Sequence, residues 1–257
     1  MLAFTGPGNS AAVAQGNPCL VVPSEYLPGT PPVASGITRC ATWPVGPLRA
    51  GVQCWGPSGE KIQCCGHGLL SCAALWQQQW GEPGVLVAGA QEVPCNVEQG
   101  INWLAFPTLA TEPLDVPGWA EDTLGLRPQR AAIAGPDDGY LILEATAGAF
   151  LQEANPPGDA LATHTRRALI LTCRTANSSS GEDIRYRYFA PQYGSAEDIA
   201  TGSAMRVLAP YWNARGQGPE LSALQCSAEG GWLYSHLEGG ITWIGGHVAQ
   251  DSCKETA

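Results

Sequence analysis

Charge is the scarcest property of this chain. Asp, Glu, Lys and Arg make up only 14% of its 257 residues, and the net charge is −10 with no basic cluster anywhere. Nucleic-acid surfaces neutralise phosphates with clustered Lys and Arg, so no nucleic-acid partner is expected. Long apolar runs are missing too. No stretch of about 18 apolar residues occurs, so neither a membrane-spanning helix nor a membrane partner is expected. The N-terminus, Met1-Leu2-Ala3-Phe4-Thr5, lacks the basic-then-apolar pattern of a secretory leader, and the expected compartment is the cytoplasm. The ten cysteines contain no Cys-x-x-Cys pair, and His164, His236 and His247 have no ligand spacing, so no metal site is expected.

What is plentiful is Gly (32), Pro (21) and Trp (9), a composition that suits a turn-rich, β-rich protein with a sizeable core. The cysteines sit mostly in apolar contexts and read as small buried hydrophobes. Strands are expected around residues 12–22, 50–65, 85–91, 100–106, 130–134, 140–144, 168–175 and 184–189. In the last of these, Arg185 and Arg187 alternate with Tyr186 and Tyr188, giving two unlike faces. Residues 23–36 and 107–128 are Pro-rich, and the second stretch reads as a linker. The tail reads as a hairpin about a Glu238-Gly239-Gly240 turn. From Gly66 to Trp80 no residue is charged, which marks a buried helix stopped by Gly81 and Pro83.

Two passages repeat one pattern. Trp55-Gly56-Pro57 precedes Cys65-Gly66-His67-Gly68 and an apolar run to Trp76. Phe189-Ala190-Pro191 precedes Thr201-Gly202-Ser203-Ala204 and a run to Trp212. Each tryptophan follows its motif glycine by ten positions. The pattern points to two similar halves, each leading a strand into a glycine-started helix. Helix N-termini carry free N–H groups and partial positive charge, so two facing each other would cradle an anion. His67 in such a place would stay neutral and serve as acid or base. Taken singly, Gly66-His67-Gly68 is an ordinary turn, and Glu197, Asp198, Thr201 and Ser203 are ordinary helix caps, with Thr201 or Ser203 the expected cap. A thiol-pair racemase would need a cysteine near the second helix start, and residues 197–204 hold none.

In order along the chain, Gly16-Asn17-Pro18, Gly56-Pro57 to Glu60, Cys65-Gly66-His67, Phe189-Ala190-Pro191, Glu197-Asp198, Thr201-Gly202-Ser203-Ala204, Ala209-Pro210-Tyr211-Trp212, and Gln225 with Ser227 and Gly230-Gly231 resemble the motifs of the PhzF-like phenazine-biosynthesis family. The resemblance implies an α+β, diaminopimelate epimerase-like fold of two pseudo-symmetric domains, each a curled β-sheet around a central helix. It implies cofactor-independent proton transfer on a small carboxylate in the interdomain cleft. His67 and Asp198 would be catalytic, and Ser203 with the helix N–H groups of Gly66, Gly68, Thr201 and Gly202 would bind the carboxylate. The family's shuttle glutamate has no counterpart: Ser35 to Thr42 holds no acid, and Ala41 or a neighbour stands at its place. Cys40 or Cys65 is then a possible substitute base, a thiolate being stabilised near a helix N-terminus.

The expected organisation is residues 1–107 as the first half, 108–128 as linker and 129–257 as the second half, with the last strand able to return to the first. The expected function is that of an isomerase or epimerase without cofactor, acting on a small carboxylate-bearing metabolite. The alternative is a non-catalytic relative that binds a small ligand or a partner. A homodimer is one candidate assembly.

Overall fold

The computed structural model describes residues 1–7, 12–24, 36–62, 65–81, 84–176 and 181–250. Most of the Pro-rich stretch at 23–36, and Pro83, fall outside the described residues. The first half holds β1 (Leu2–Thr5), β2 (Asn17–Pro23), β3 (Thr38–Gly46), β4 (Arg49–Trp55), β5 (Lys61–Ile62), α1 (Gly66–Trp80), β6 (Val85–Ala88), β7 (Gln91–Glu98) and β8 (Ile101–Pro107). The second holds β9 (Thr111–Leu114), α2 (Ala120–Leu124), β10 (Arg130–Ala134), β11 (Tyr140–Glu144), α3 (Leu161–His164), β12 (Ala168–Arg174), β13 (Ile184–Phe189), α4 (Gly202–Asn213), β14 (Glu220–Gln225), β15 (Gly231–Glu238) and β16 (Ile241–Ala249).

Two curls of sheet share one strand. Strands β1-β2-β3-β4-β6-β7-β8-β16 follow one another, and pairing of β1 with β16 closes them into a ring around α1. From β16 the order continues β15-β14-β13-β12-β11-β10-β9, curling around α4. Each central helix is the crossover between two parallel strands, β4 to β6 and β13 to β14. The last strand therefore pairs with β8 and β1 of the first half. Residues 108–128 are more than a linker. β9 pairs with β10, and α2 buries Ala120 and Leu124 in the second half.

The absence of charge on α1 is explained by its place. Leu69, Leu70, Ser71, Cys72 and Ala73 are all fully buried, so every side of the helix meets sheet. Gly81 stops it with φ at 93°, a conformation that a residue with a Cβ adopts under strain. On α4, Ala204, Met205, Val207, Leu208, Tyr211 and Trp212 are buried, and the helix continues past Pro210 to Asn213. Trp76 and Trp212, the matched tryptophans, are both buried.

The second half has a further layer. Ile142 and Ile170 face the α4 core, while Leu141, Leu143, Leu169, Leu171 and Cys173 face a second cluster with Leu124, Leu151 and Leu161. Parallel neighbours β11 and β12 are thus apolar on both faces, as strands covered twice must be. The buried polar exceptions are Thr172 and, at 5% exposure, Glu144. Glu144 accepts from Tyr211 Oη (2.7 Å), Arg130 Nη1 (2.7 Å) and Arg215 Nε (3.1 Å), tying α4 to β11 and β10. No described helix is long and apolar enough to cross a membrane.

Tyr211→Phe removes one bond to a buried carboxylate that keeps both arginines. The expected loss is about 1.5–3 kcal/mol. Urea unfolding checks it: the midpoint should fall with the slope unchanged.

Candidate active site

The two central helices meet end to end. A methyl on Gly66 would lie 3.3 Å from Gly202 Cα, and one on Gly202 would lie 3.6 Å from Gly66 Cα and 3.1 Å from Phe4 Cζ. A Cβ at either position would be tight, so glycine at both suits this approach. Neither helix has a side-chain cap or an acid in its first turn. The N–H groups of Gly66, His67, Gly202 and Ser203 make no hydrogen bond to a described residue. They are therefore free to act together on one anion.

A cleft of about 410 Å³ opens at this junction, between the halves. Its wall contains Gly66, His67, Thr201, Gly202, Ser203, Cys65 and Asp198, so seven of the expected site residues come together. No Lys or Arg is among its lining residues, whereas Glu60, Glu197 and Asp198 are. Attraction for a carboxylate therefore comes from backbone dipoles and from His67 when it is protonated. Glu197 is neutralised from behind by Arg187, with bonds of 2.7 Å from Nε and from Nη2. Glu60 is held ionised, below the ordinary carboxylate range, by the Ser58 hydroxyl and its own backbone N–H.

Asp198 is the most firmly fixed group in the cleft. Its Oδ1 accepts from Asn17 Nδ2 (3.0 Å) and the Ile199 N–H (2.9 Å), and its Oδ2 accepts from Thr201 Oγ1 (2.6 Å). Gln225 clamps the same loop: its Oε1 accepts from the Thr201 N–H (2.6 Å) and its Nε2 donates to the Asp198 carbonyl (2.5 Å). Ser227 Oγ donates to the Ile199 carbonyl (2.7 Å). Thr201 does occupy the N-cap position, but its hydroxyl serves Asp198 rather than the helix. Asn17 reaches Asp198 from the other half of the chain. Asn17 and Gln225 stand in motifs visible in the sequence, yet their task depends on a tertiary meeting that spacing does not show. Tyr188 also lines the cleft, at the end of the alternating strand β13.

His67 is half-buried with Nδ1 3.5 Å and Nε2 3.7 Å from Cys65 Sγ. Burial lowers its pKa, but the Cys65 sulfur and the Asp198 carboxylate raise it by more, so the net direction is up. The shift is toward the protonated ring rather than the expected neutral one, with Cys65 the larger raising influence and the Asp198 carboxylate the smaller. Contact with Cys54 and burial push the Cys65 thiol far up, outweighing the pull of His67. Helix-terminus stabilisation of a Cys65 thiolate is therefore not realised.

Three expectations fail on position. Cys40 does not line the cleft: it is buried in β3, its Sγ 3.6 Å from that of Cys19, and desolvation pushes its thiol well up. Gly68 does not line it either. A methyl there would meet the sulfurs of Cys40 (2.5 Å), Cys54 (3.0 Å) and Cys65 (3.1 Å), so packing explains this glycine. Ala41 is a core residue of β3, and the part of its segment that reaches the cleft is Gly36, Ile37 and Thr38. None of these three carries a carboxyl, and the carboxylates among the described lining residues are Glu60, Glu197 and Asp198.

Residues 57–232 match the family model of phenazine biosynthesis-like proteins. An uncharacterised isomerase of Pseudomonas aeruginosa is 33% identical over 199 residues, covering 76% of this chain and 73% of that protein. A PhzF family protein of Enterococcus faecalis has a crystal structure that superposes with a TM-score of 0.79 at 21% identity, over 96% of this chain and 94% of that one. A hydroxyproline epimerase of Agrobacterium vitis, solved with trans-4-hydroxy-L-proline bound, superposes at 0.52 and 14% identity, over 82% and 72%. The fold is thus the α+β, diaminopimelate epimerase-like one.

Asp198→Asn removes the negative charge facing His67 and leaves its burial. The imidazole pKa should fall relative to the unmodified protein. Ring-proton NMR titration of the four histidines checks this, and an unmoved His67 would contradict the electrostatic link.

Proposed function

This chain belongs to the phenazine biosynthesis-like PhzF family and is an isomerase, and we propose that it moves a proton on a small carboxylate-bearing metabolite, without a cofactor, in the cleft between its halves. One observation carries the reading: two uncapped helix N-termini abut at the floor of a cleft that His67 and Asp198 line and no cationic side chain enters. In this reading the N–H groups of Gly66, Gly202 and Ser203 hold the substrate carboxylate, with Ser203 Oγ beside them. Fixed dipoles in a partly water-excluded site stabilise negative charge that spreads toward the carboxylate when a neighbouring C–H loses its proton.

His67 is the acid/base. Asp198 favours its protonated form and, anchored by Asn17, Thr201 and the Ile199 N–H, holds its own geometry while the charge changes hands. Cys65 is the weaker candidate base, because its thiol is held protonated. In this reading the protein works in the cytoplasm, with neither nucleic acid nor membrane as partner, and a homodimer is one candidate assembly. The rival reading is a small-ligand or partner-binding relative without chemistry. It is favoured by the uncharged wall at Gly36, Ile37 and Thr38, where the family's glutamate would be expected.

Candidate carboxylates incubated with the protein in heavy water separate the two. Exchange of a substrate C–H for deuterium supports proton transfer, and saturable binding without exchange supports the rival. His67→Ala should slow the exchange by about 10²- to 10⁴-fold with the fold intact by circular dichroism. Undiminished exchange would remove His67 from the mechanism.

A further inference from the structure

Five cysteines gather beneath the N-terminus of α1. Cys19, Cys40, Cys54, Cys65 and Cys72 are all buried and free, and all belong to one core cluster. The sulfurs of Cys40, Cys54 and Cys65 converge on the Cα of Gly68, within 2.5–3.1 Å of where a methyl would stand. The three are therefore close neighbours, and the missing Cβ makes room for them. Cys65 reaches the candidate active-site cleft on one side. On the other side, a separate cavity of about 520 Å³ is lined by both Cys54 and Cys65, with Gln53, Lys61, Leu69 and Gln91 among its other walls. Nothing in the proposed proton transfer uses Cys54 or this cavity.

We propose that Cys54 and Cys65 are a dithiol modification site, oxidised by a small hydroperoxide entering the second cavity and closed as a Cys54–Cys65 disulfide. The arrangement separates the roles of the two sulfurs. Contact with Cys40 and Cys65 draws the Cys54 thiol down, whereas burial pushes Cys40 up and contact with Cys54 together with burial pushes Cys65 up. Cys54 lines only the second cavity, whereas Cys65 also reaches the cleft, so Cys54 is the sulfur that meets an oxidant entering there, and its thiolate is the nucleophile. Cys54 gives up its proton and attacks the hydroperoxide. An S–O bond forms, the O–O bond breaks, and an alcohol leaves with that proton, so that Cys54 becomes a sulfenic acid. The Cys65 thiol then attacks Cys54 Sγ. The S–S bond forms, the S–O bond breaks, and water leaves with the Cys65 proton. Two thiols are oxidised, and one hydroperoxide is reduced to alcohol and water.

Cys65 is the N-cap residue of α1, two positions before His67 and in contact with its ring. Drawing its sulfur onto Cys54 removes that contact. The disulfide would thus act on the candidate active site from behind, without occupying it. This inference does not depend on which reaction, if any, the cleft performs.

The test uses the full chain, folded, with hydrogen peroxide as the probe. After exposure, remaining thiols are alkylated and tryptic peptides are mapped by mass. Lys61 separates the peptide of Cys54 (residues 50–61) from that of Cys65, and Arg49 separates both from that of Cys40. The expected product is a Cys54–Cys65 link that dithiothreitol reverses, with fragmentation distinguishing Cys65 from other cysteines of its peptide. In Cys65→Ser, a dimedone adduct should accumulate on Cys54, and in Cys54→Ser, Cys65 should stay alkylatable. The map of the unsubstituted protein decides the matter even if a variant misfolds. A dominant Cys40–Cys54 link, or a Cys54 left unmodified while free glutathione in the same tube is fully oxidised, would overturn the proposal.

Discussion

The candidate site depends on the contact of two glycines, Gly66 and Gly202, at which the central helices of the halves meet N-terminus to N-terminus. Like ends of helix dipoles repel each other, and free N–H groups buried without partners are costly. Here the N–H groups open onto the cleft, where water or something negative and hydrogen-bonding can occupy them. The rest of the fold holds the two ends together. β16 belongs to both curls of sheet, and the core cluster runs without a break from Leu69 and Leu70 of α1 to Met205 and Leu208 of α4. A site made in this way needs no arginine or lysine, which agrees with a chain so poor in charge.

The same economy governs the polar support. The charges that are buried in the second half are paired or multiply bonded: Glu144 by three donors, and Arg187 by Glu197 and the carbonyls of Leu151 and Ala154. Asp198 follows the same rule but points into the cleft, where its three hydrogen bonds fix its position and leave its field directed at His67. Anchoring by Asn17 makes the geometry of one half conditional on the other. Motifs that look independent along the sequence, Gly16-Asn17-Pro18 and Gln225 to Gly231, turn out to be parts of one brace. The N–H groups of Gln15 and Gly16 donate to the carbonyls of Glu229 and Gly230.

Much of this was legible in advance where periodicity and composition speak locally. β10, β11 and β13 fall on residues 130–134, 140–144 and 184–189 as the pattern indicates, and the charge-free run from Gly66 is a buried helix. β9 and α2 were not legible. Pro113 and Pro117 give residues 107–128 the look of a linker, while pairing with β10 and a small apolar contact to the second core decide otherwise. At the site, the repeated glycine motif pointed to the anion cradle. Cys40 and Gly68 lie off the cleft because a β-strand alternates its faces and a helix turns. A residue one or two places from a site residue therefore often faces the opposite way.

By itself the sequence determined the two-half organisation, the buried central helices and the residue types available for proton transfer, because each rests on local spacing and on glycine, charge and apolar pattern. Tertiary structure alone decided which side chains share a space: that Asn17 holds Asp198, that Thr201 serves a carboxylate rather than a helix end, and that Cys54 and Cys65 share a second cavity. These are contacts between segments up to 181 positions apart. Their distances are set by how sheets curl and helices abut, which spacing along the chain does not encode.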